Sequence, residues 1–254
     1  MIRLLKIISF FSFIYVLICL WLYLEQRNIL YKSRPEVVSL KTPYFWLDVK
    51  NAKLKIWEII STGTDAIIYF GGNAEPIDRN INTYQNWLNG KNIYLMNYRG
   101  SGGSTGKPSE IALCSDAVEL FDYLEKKHDR ISAIGRSLGT GVASCLASKR
   151  DIHKLALITP FDSILSVAEN IYSVFPVKFL LKDTFDSMEY AKTIYAEVLI
   201  LIASKDQIIP PYHGYRLANA FKTNQVNVHT VDGANHRNIS KFPKYADLLR
   251  EFFR

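Results

Sequence analysis

The hydrophobic positions along the chain predict a domain in which strands alternate with helices. Short, mostly apolar runs predict buried strands, and apolar residues at helical spacing between them predict helices. The predicted strands are residues 66–70, 92–98, 131–134, 155–158, 198–202 and 226–231. This alternation is typical of an α/β fold with a doubly wound, mostly parallel sheet. In such folds the ligand-binding or active site lies beyond the carboxyl ends of the strands.

Two segments of the domain depart from this pattern. Residues 54–59 alternate between apolar and polar, which predicts an early strand with one exposed face. Residues 161–193 contain two short apolar stretches in place of the next helix and strand. This second segment is predicted to be a short helical lid, inserted over the sheet.

A different pattern occupies the N-terminus, where residues 7–24 form an uncharged run of 18 residues. The run is just long enough for a bilayer-spanning helix, and Trp21 and Tyr23 near its end fit an interfacial belt of aromatic residues. The alternative is a cleaved signal peptide, but no small-residue cleavage site precedes Glu25. We therefore expect an uncleaved, single-pass membrane anchor over residues 1–24.

The length of the chain, 254 residues, fits one α/β domain behind this anchor. The predicted division is an anchor over residues 1–24, a linker and lead-in segment over residues 25–50, and the α/β domain over residues 51–254. Basic residues flank the apolar run on both sides, so the positive-inside rule leaves both orientations in the membrane open.

The charge of the chain indicates what kind of surface it meets. Its 31 Lys and Arg outnumber its 24 Asp and Glu, which gives a net charge of +7. No dense basic run is interleaved with aromatic residues, so we expect attraction to an anionic membrane surface and no nucleic-acid partner. The cysteines, Cys19, Cys114 and Cys145, are scattered, which argues against both a disulfide framework and a metal cluster.

The main candidate for chemistry is the stretch Gly-Arg-Ser-Leu-Gly at residues 135–139, which fits the Gly-x-Ser-x-Gly nucleophile elbow. An apolar run suited to a strand precedes it, and a small-residue segment suited to a helix follows it. Such a turn holds the serine in a strained backbone, and its hydroxyl then projects above the edge of the sheet. Ser137 is therefore the candidate nucleophile.

A serine nucleophile needs a histidine base, and the histidine needs a carboxylate that orients it and stabilises its charged form. In this type of sheet the acid and then the histidine follow the serine along the chain, on loops after late strands. Asp206 follows the predicted strand at 198–202, and His236 follows the one at 226–231. Asp162, also at a strand end, is the alternative acid.

An acyl-transfer site also needs two backbone N–H groups that stabilise the oxyanion. One comes from the residue after the nucleophile, here Leu138, and the other from the loop after a neighbouring strand. The loop after residues 66–70 begins with two glycines, and we expect Asn73 to be its donor, with Ala74 as the alternative. This chemistry requires no metal and no cofactor.

With these residues in place, the chain resembles the α/β-hydrolase superfamily. More narrowly, it is similar to membrane-anchored serine hydrolases that include lysophospholipase-like and protein-depalmitoylating members. The resemblance covers about residues 50–254. It rests on the elbow, on Phe-Gly-Gly-Asn-Ala at 70–74, on Asn-Tyr-Arg-Gly-Ser-Gly-Gly-Ser-Thr-Gly-Lys-Pro-Ser at 97–109, on Thr-Pro-Phe-Asp-Ser at 159–163, and on Asp206 and His236.

The resemblance implies an α/β-hydrolase fold with Ser137, Asp206 and His236 as its catalytic triad. The chain departs from the family at the frequent pattern His-Gly-Asn-Ala-Gly. Gly71 stands in place of the His, and Glu75 in place of the last Gly. Both departures lie in the loop of the predicted oxyanion donor.

The predicted function is a membrane-anchored serine hydrolase that cleaves an acyl ester or thioester through an acyl-enzyme. Its partners are expected to be the membrane and a small-molecule or lipid-like acyl substrate. The apolar residues of the lid fit a roof over an acyl pocket, and they fit equally well as packing of the lid onto the sheet. Two alternatives stay open: an amide hydrolase of the serine-aminopeptidase type, and a non-catalytic binding protein at the membrane.

Overall fold

The computed structural model describes residues 1–36, 42–222 and 224–254, and in these ranges eight strands form one sheet. The strands are β1 (Tyr44–Val49), β2 (Ala52–Ile59), β3 (Asp65–Phe70), β4 (Asn92–Met96), β5 (Arg130–Arg136), β6 (Lys154–Ile158), β7 (Glu197–Ala203) and β8 (Val226–Val231). The helices are α1 (Ile2–Leu30), α2 (Ile81–Trp87), α3 (Glu110–Leu124), α4 (Leu138–Lys149), α5 (Ile164–Ile171), α6 (Val177–Leu180), α7 (Ser187–Ala191), α8 (Pro211–Ala218) and α9 (Pro243–Phe252).

The order of strands in the sheet is β1-β2-β4-β3-β5-β6-β7-β8. The pairs β1–β2 and β2–β4 are antiparallel, and the pairs from β4 through β3 to β8 are parallel. Parallel neighbours need crossover connections, which the helices between successive strands supply. The predicted α/β fold with a mostly parallel, doubly wound sheet is therefore confirmed.

The two faces of the sheet carry separate hydrophobic cores, as β3 illustrates. Ile68 and Phe70 belong to the core that includes α3 and α4, whereas Ile67 and Tyr69 belong to the core that includes α2 and α9. Successive side chains of a strand point to opposite faces, so a strand covered on both sides is apolar throughout. This coverage explains the uninterrupted apolar runs of the central strands.

The prediction that β2 exposes one face is wrong. Its central residues are buried, including the charged Lys55, which is 5% exposed. The Lys55 ammonium forms an ion pair with Glu36 at 2.8 Å and lies 3.9 Å and 4.1 Å from the ring centres of Tyr44 and Trp57. Because a carboxylate and two aromatic faces surround it, this charge can be buried within the strand.

Helix α1 continues to Leu30, beyond the predicted end of the anchor at residue 24. Strand β1 also lies inside the segment predicted as linker, part of which, residues 37–41, lies outside the described ranges. By length and composition α1 could cross a bilayer, with a mean hydropathy of 2.4 over its most apolar window. None of its residues is buried by the rest of the protein.

The predicted helical lid corresponds to the short helices α5, α6 and α7. Ser163 begins α5, where its hydroxyl accepts a hydrogen bond from the Ser166 N–H at 2.9 Å. Lid helix α6 contacts α1, whereas α7 packs against α4. The lid therefore joins the N-terminal helix to the helix that follows the nucleophile elbow.

The expectation that the cysteines form no disulfide is wrong for one pair. Cys114 of α3 and Cys145 of α4 are joined by a disulfide, with their Cα atoms 5.8 Å apart. The two helices pack side by side on the same face of the sheet, which brings together residues 31 positions apart. Cys19 is a free thiol.

Removal of this disulfide should destabilise the domain. The cross-link closes a 31-residue loop in the unfolded chain, so replacing both cysteines by alanine should lower the free energy of unfolding by about 4 kcal/mol. Urea denaturation of the full chain in detergent, without reductant, measures the change. The control is Cys19→Ala, which removes a free thiol, and equal midpoints for the two variants would contradict the prediction.

Candidate active site

The elbow places Ser137 between the end of β5 and the start of α4, with φ of 51° and ψ of −118°. The flanking glycines have a steric cause. A Cβ on Gly135 would lie 2.4 Å from the carbonyl oxygen of Gly139, and a Cβ on Gly139 would lie 2.1 Å from that of Phe70. Only glycine permits these approaches, and they hold the serine in its strained conformation.

The structure joins the predicted nucleophile, base and acid in one chain of hydrogen bonds. The distance from Ser137 Oγ to His236 Nε2 is 2.8 Å, and from His236 Nδ1 to Asp206 Oδ2 it is 2.7 Å. The other carboxylate oxygen of Asp206 accepts the N–H groups of Ile208 and Ile209, each at 2.9 Å. The geometry suits proton transfer from serine to histidine, with a carboxylate behind the ring.

The alternative acid, Asp162, lies elsewhere and contacts a different histidine. Its Oδ1 is 2.8 Å from His213 Nδ1, and its Oδ2 is 3.0 Å from Arg216. Burial alone raises the pKa of Asp162. Hydrogen bonds from His213 and the Ser163 N–H, together with the charge of Arg216, lower it by more than burial raises it. The pKa therefore lies below its usual range, and the carboxylate links the base of the lid to α8.

The predicted oxyanion donors, Leu138 and Asn73, lie on two different elements beside Ser137. Leu138 begins α4, and Asn73 lies in the loop after β3. Both residues line the same cavity as Ser137. The Gly72 N–H in this loop donates to the Glu75 carboxylate. In the described part of the chain, no acceptor receives the N–H of Asn73, which leaves this group free for a substrate oxygen.

The sequence reasoning missed two charged residues that connect the loops of the site. Glu75 accepts hydrogen bonds from the Gly72 N–H at 2.5 Å and from the Tyr69 hydroxyl at 2.7 Å. Arg136 lies 3.2 Å from the Glu75 carboxylate and donates to the backbone oxygen of His236, also at 3.2 Å. The ion pair therefore ties the oxyanion loop to the elbow and to the histidine loop.

Both residues carried a signal in the sequence. Arg136 is a charged residue at the end of a buried strand, and Glu75 replaces the glycine of the family pattern. The ends of parallel strands meet at one edge of the sheet. An ion pair between opposite charges in two such loops could therefore have been predicted from the sequence. The pair shows how the departure in the oxyanion loop is accommodated.

The Tyr-Arg-Gly motif supports the same loop from the other side. The Tyr98 hydroxyl donates to the Gly71 carbonyl oxygen at 2.8 Å. Arg99 forms a two-pronged, buried pair with Asp116 at 2.6 Å and 2.7 Å, which fixes the motif to α3. The motif thus has a structural role behind the site.

Two cavities meet beside the nucleophile, and Asn73 and Leu138 line both of them. The first, of about 280 Å³, is apolar and includes Ser137 in its wall, between the lid and α1. The second, of about 320 Å³, is more polar and is lined by Lys32 and Lys107 among others. The arrangement therefore offers an apolar and a cationic compartment on either side of the predicted oxyanion site.

Comparison with known sequences finds relatives over most of the chain, although no protein-family model matches it. The lysophosphatidylserine lipase ABHD12 of Xenopus tropicalis is 30% identical over 240 residues, which is 82% of this chain and 62% of the lipase. An uncharacterized protein of Mycobacterium tuberculosis is 36% identical over 135 residues, which is 52% of this chain and 48% of that protein. The chain thus spans only about half to three fifths of the length of these relatives.

Comparison with solved structures finds the same fold in esterases. Esterase Pf2001 of Pyrococcus furiosus matches with a TM-score of 0.69 at 17% identity, covering 88% of this chain and 97% of the esterase. Est1E of Butyrivibrio proteoclasticus, with ferulic acid bound, matches with a TM-score of 0.66 at 17% identity, covering 82% and 96%. The predicted class, an esterase or lipase, agrees with the names of these relatives, and the chain has the α/β-hydrolase fold of these esterases.

Proposed function

We propose that the chain is a membrane-anchored serine hydrolase that cleaves an acyl ester or thioester through an acyl-enzyme. The observation that carries this proposal is the hydrogen-bonded series from Ser137 through His236 to Asp206, at the wall of an apolar cavity. A non-catalytic binding protein has no need to keep all three groups at hydrogen-bonding distance. An apolar cavity beside the serine also favours an acyl chain over a peptide.

The reaction follows from the positions of the groups. Ser137 Oγ attacks the carbonyl carbon while His236 Nε2 takes its proton, and the Asp206 carboxylate stabilises the imidazolium. The N–H groups of Leu138 and Asn73 stabilise the oxyanion, and one such donor typically contributes about 3 kcal/mol. The intermediate collapses as His236 protonates the leaving oxygen or sulfur. Water, deprotonated by His236, then attacks the acyl-enzyme and releases the acid and the free serine.

The substrate is an amphipathic acyl ester, with its carbonyl where the two cavities meet. The acyl chain lies in the apolar cavity, and the leaving group lies in the polar cavity near Lys32 and Lys107. Neither lysine has a carboxylate within ion-pair distance among the described residues, so both can face an anionic group. A lipid ester is also what the lysophosphatidylserine lipases among the relatives are named for.

Helix α1 anchors the enzyme to the membrane where this substrate resides. Its apolar run of 18 residues gives about 27 Å of helix, close to the thickness of the hydrocarbon core. The net charge of +7 adds attraction to anionic lipid headgroups.

A fluorophosphonate probe tests the nucleophile directly. We expect the probe to label the wild-type protein and not Ser137→Ala, because only an activated serine attacks the phosphorus. The matched control is Ser148→Ala, on the same helix as the elbow, which should label like the wild type. Equal labelling of the Ser137→Ala protein would overturn the proposal.

The two candidate acids can be separated by matched substitutions. Asp206→Asn should lower kcat for a short-chain nitrophenyl ester by about 10⁴-fold, because the amide no longer stabilises the imidazolium. Asp162→Asn should instead lower the midpoint of thermal unfolding, because His213 and Arg216 lose a buried carboxylate partner. Similar losses of kcat in the two folded variants would contradict the assignment of Asp206.

The polar cavity predicts selectivity for charge in the leaving group. Lys107→Glu should lower kcat/KM for an ester with an anionic leaving group about tenfold relative to a neutral ester, because the reversed charge repels it. The control is Lys126→Glu, an exposed position in the turn between α3 and β5 that does not line the cavity. An unchanged ratio in the Lys107→Glu protein would exclude the polar cavity as the leaving-group site.

A further inference from the structure

The lid is fastened to the polar end of α1 by a cluster of hydrogen bonds. The Gln26 amide donates to the Leu180 carbonyl at 2.9 Å and accepts the Lys182 N–H at 2.6 Å. Arg27 forms a two-pronged ion pair with Asp183, at 2.8 Å and 3.1 Å, and this carboxylate is only 3% exposed. The lid and the helix are therefore held in a defined relative position at this level.

A second contact joins the lid to the middle of the apolar run of α1. The Tyr15 hydroxyl donates to the Val174 carbonyl at 2.9 Å, and its ring stacks on Phe175 with centres 5.7 Å apart. Tyr15 and Gln26 lie about 16 Å apart along the helix axis. The lid therefore follows α1 for about half the thickness of a bilayer hydrocarbon core.

The part of the lid that follows α1, residues 171–181, is here called the lid tip, and its outer surface is apolar. Ile171 is 60% exposed, Val174 72% and Phe179 84%. Lys178 is the sole charged residue of the segment, and its long side chain can carry the ammonium toward the headgroups. Large apolar side chains that are exposed within one short segment favour contact with an apolar partner.

The backbone of the lid tip is also suited to hydrocarbon, where an unpaired carbonyl is costly. Tyr15 donates to the Val174 carbonyl, Phe175 N–H to the Tyr172 carbonyl at 2.9 Å, and Val177 N–H to the Phe175 carbonyl at 2.8 Å. These contacts satisfy three carbonyls of an irregular segment without water. These three carbonyls can therefore lie at membrane depth without a water partner.

The apolar cavity lies between this lid tip and α1. Leu22 and Ile29 of the helix face Phe175 and Leu180 of the lid across it, and Ser137 belongs to the same cavity. Helix α1 therefore lines the apolar cavity with residues from both its apolar run and its polar end. A substrate chain in this cavity touches the anchor itself.

We propose that the lid tip is inserted in one leaflet of the bilayer beside α1, and that the apolar cavity opens into the hydrocarbon between them. The acyl chain then reaches Ser137 sideways from the membrane, without passing through water. The bilayer is the occupant of this apolar surface because the surface continues that of α1, which contacts the lid tip at Tyr15. The part played by the acyl chain rests on the catalytic activity of the proposed function, whereas the insertion of the lid rests only on its membrane anchor.

Fluorescence quenching tests the insertion in the full chain, independently of catalysis. Phe179→Cys, in a Cys19→Ser background, is labelled with an environment-sensitive dye and reconstituted in nanodiscs that contain lipids with a nitroxide on the acyl chain. We expect quenching at least threefold stronger than for Tyr195→Cys, another exposed aromatic position, which precedes β7 at the amino end of the strands, away from the site. Equal quenching at the two positions would overturn the insertion.

Chain-length selectivity tests the route of the acyl chain. Leu22→Trp, which fills the helix side of the cavity, should lower the ratio of kcat/KM for a dodecanoyl ester to that for an acetyl ester at least tenfold. Leu24→Trp, on the exposed face of the same helix, should leave the ratio as in the wild type. An unchanged ratio for Leu22→Trp, or the same fall in both variants, would overturn the route through the cavity. Absence of ester turnover in the wild type would instead refute the proposed function, and the quenching result would stand.

Discussion

The site depends on how closely α4 approaches the end of β3. Gly139 lies so near the Phe70 carbonyl that no side chain fits at this position. This approach brings the first turn of α4, with the Leu138 N–H, to the loop that holds Asn73. It also turns the backbone at Ser137 into its positive-φ conformation, which aims the hydroxyl away from the sheet. One steric constraint thus positions both the proposed nucleophile and the two predicted oxyanion donors.

Polar contacts hold the loops around this point. The Glu75–Arg136 pair lies behind the oxyanion loop and the histidine loop, and Asp206 is fixed by two backbone N–H groups of its own loop. The Arg136 side chain, at the end of β5, thus holds both the oxyanion loop and the histidine loop, whereas Asp206 is held within its own loop. This mutual bracing suits a preorganised site, because the dipoles are already aimed before the substrate arrives.

The features that follow from local pattern were predictable from the sequence. The central strands appear as apolar runs, and the positions of Asp206 and His236 follow from the order of strand ends. The features that depend on contacts between residues far apart in the sequence were not predictable. Lys55 is polar in the strand pattern, and its burial depends on Glu36 and on the rings of Tyr44 and Trp57. Likewise, a choice between Asp206 and Asp162 requires the position of each relative to its histidine.

The disulfide between α3 and α4 ties the redox state of the surroundings to the site. Helix α4 begins immediately after Ser137, and Cys145 fastens this helix to its neighbour. Where glutathione and thioredoxin keep thiols reduced, Cys114 and Cys145 would remain unpaired. The rigidity of the helix that supports Ser137 therefore depends on the compartment in which the chain folds, and a preparation made in a reducing cytosol would differ from one that folded in an oxidising space.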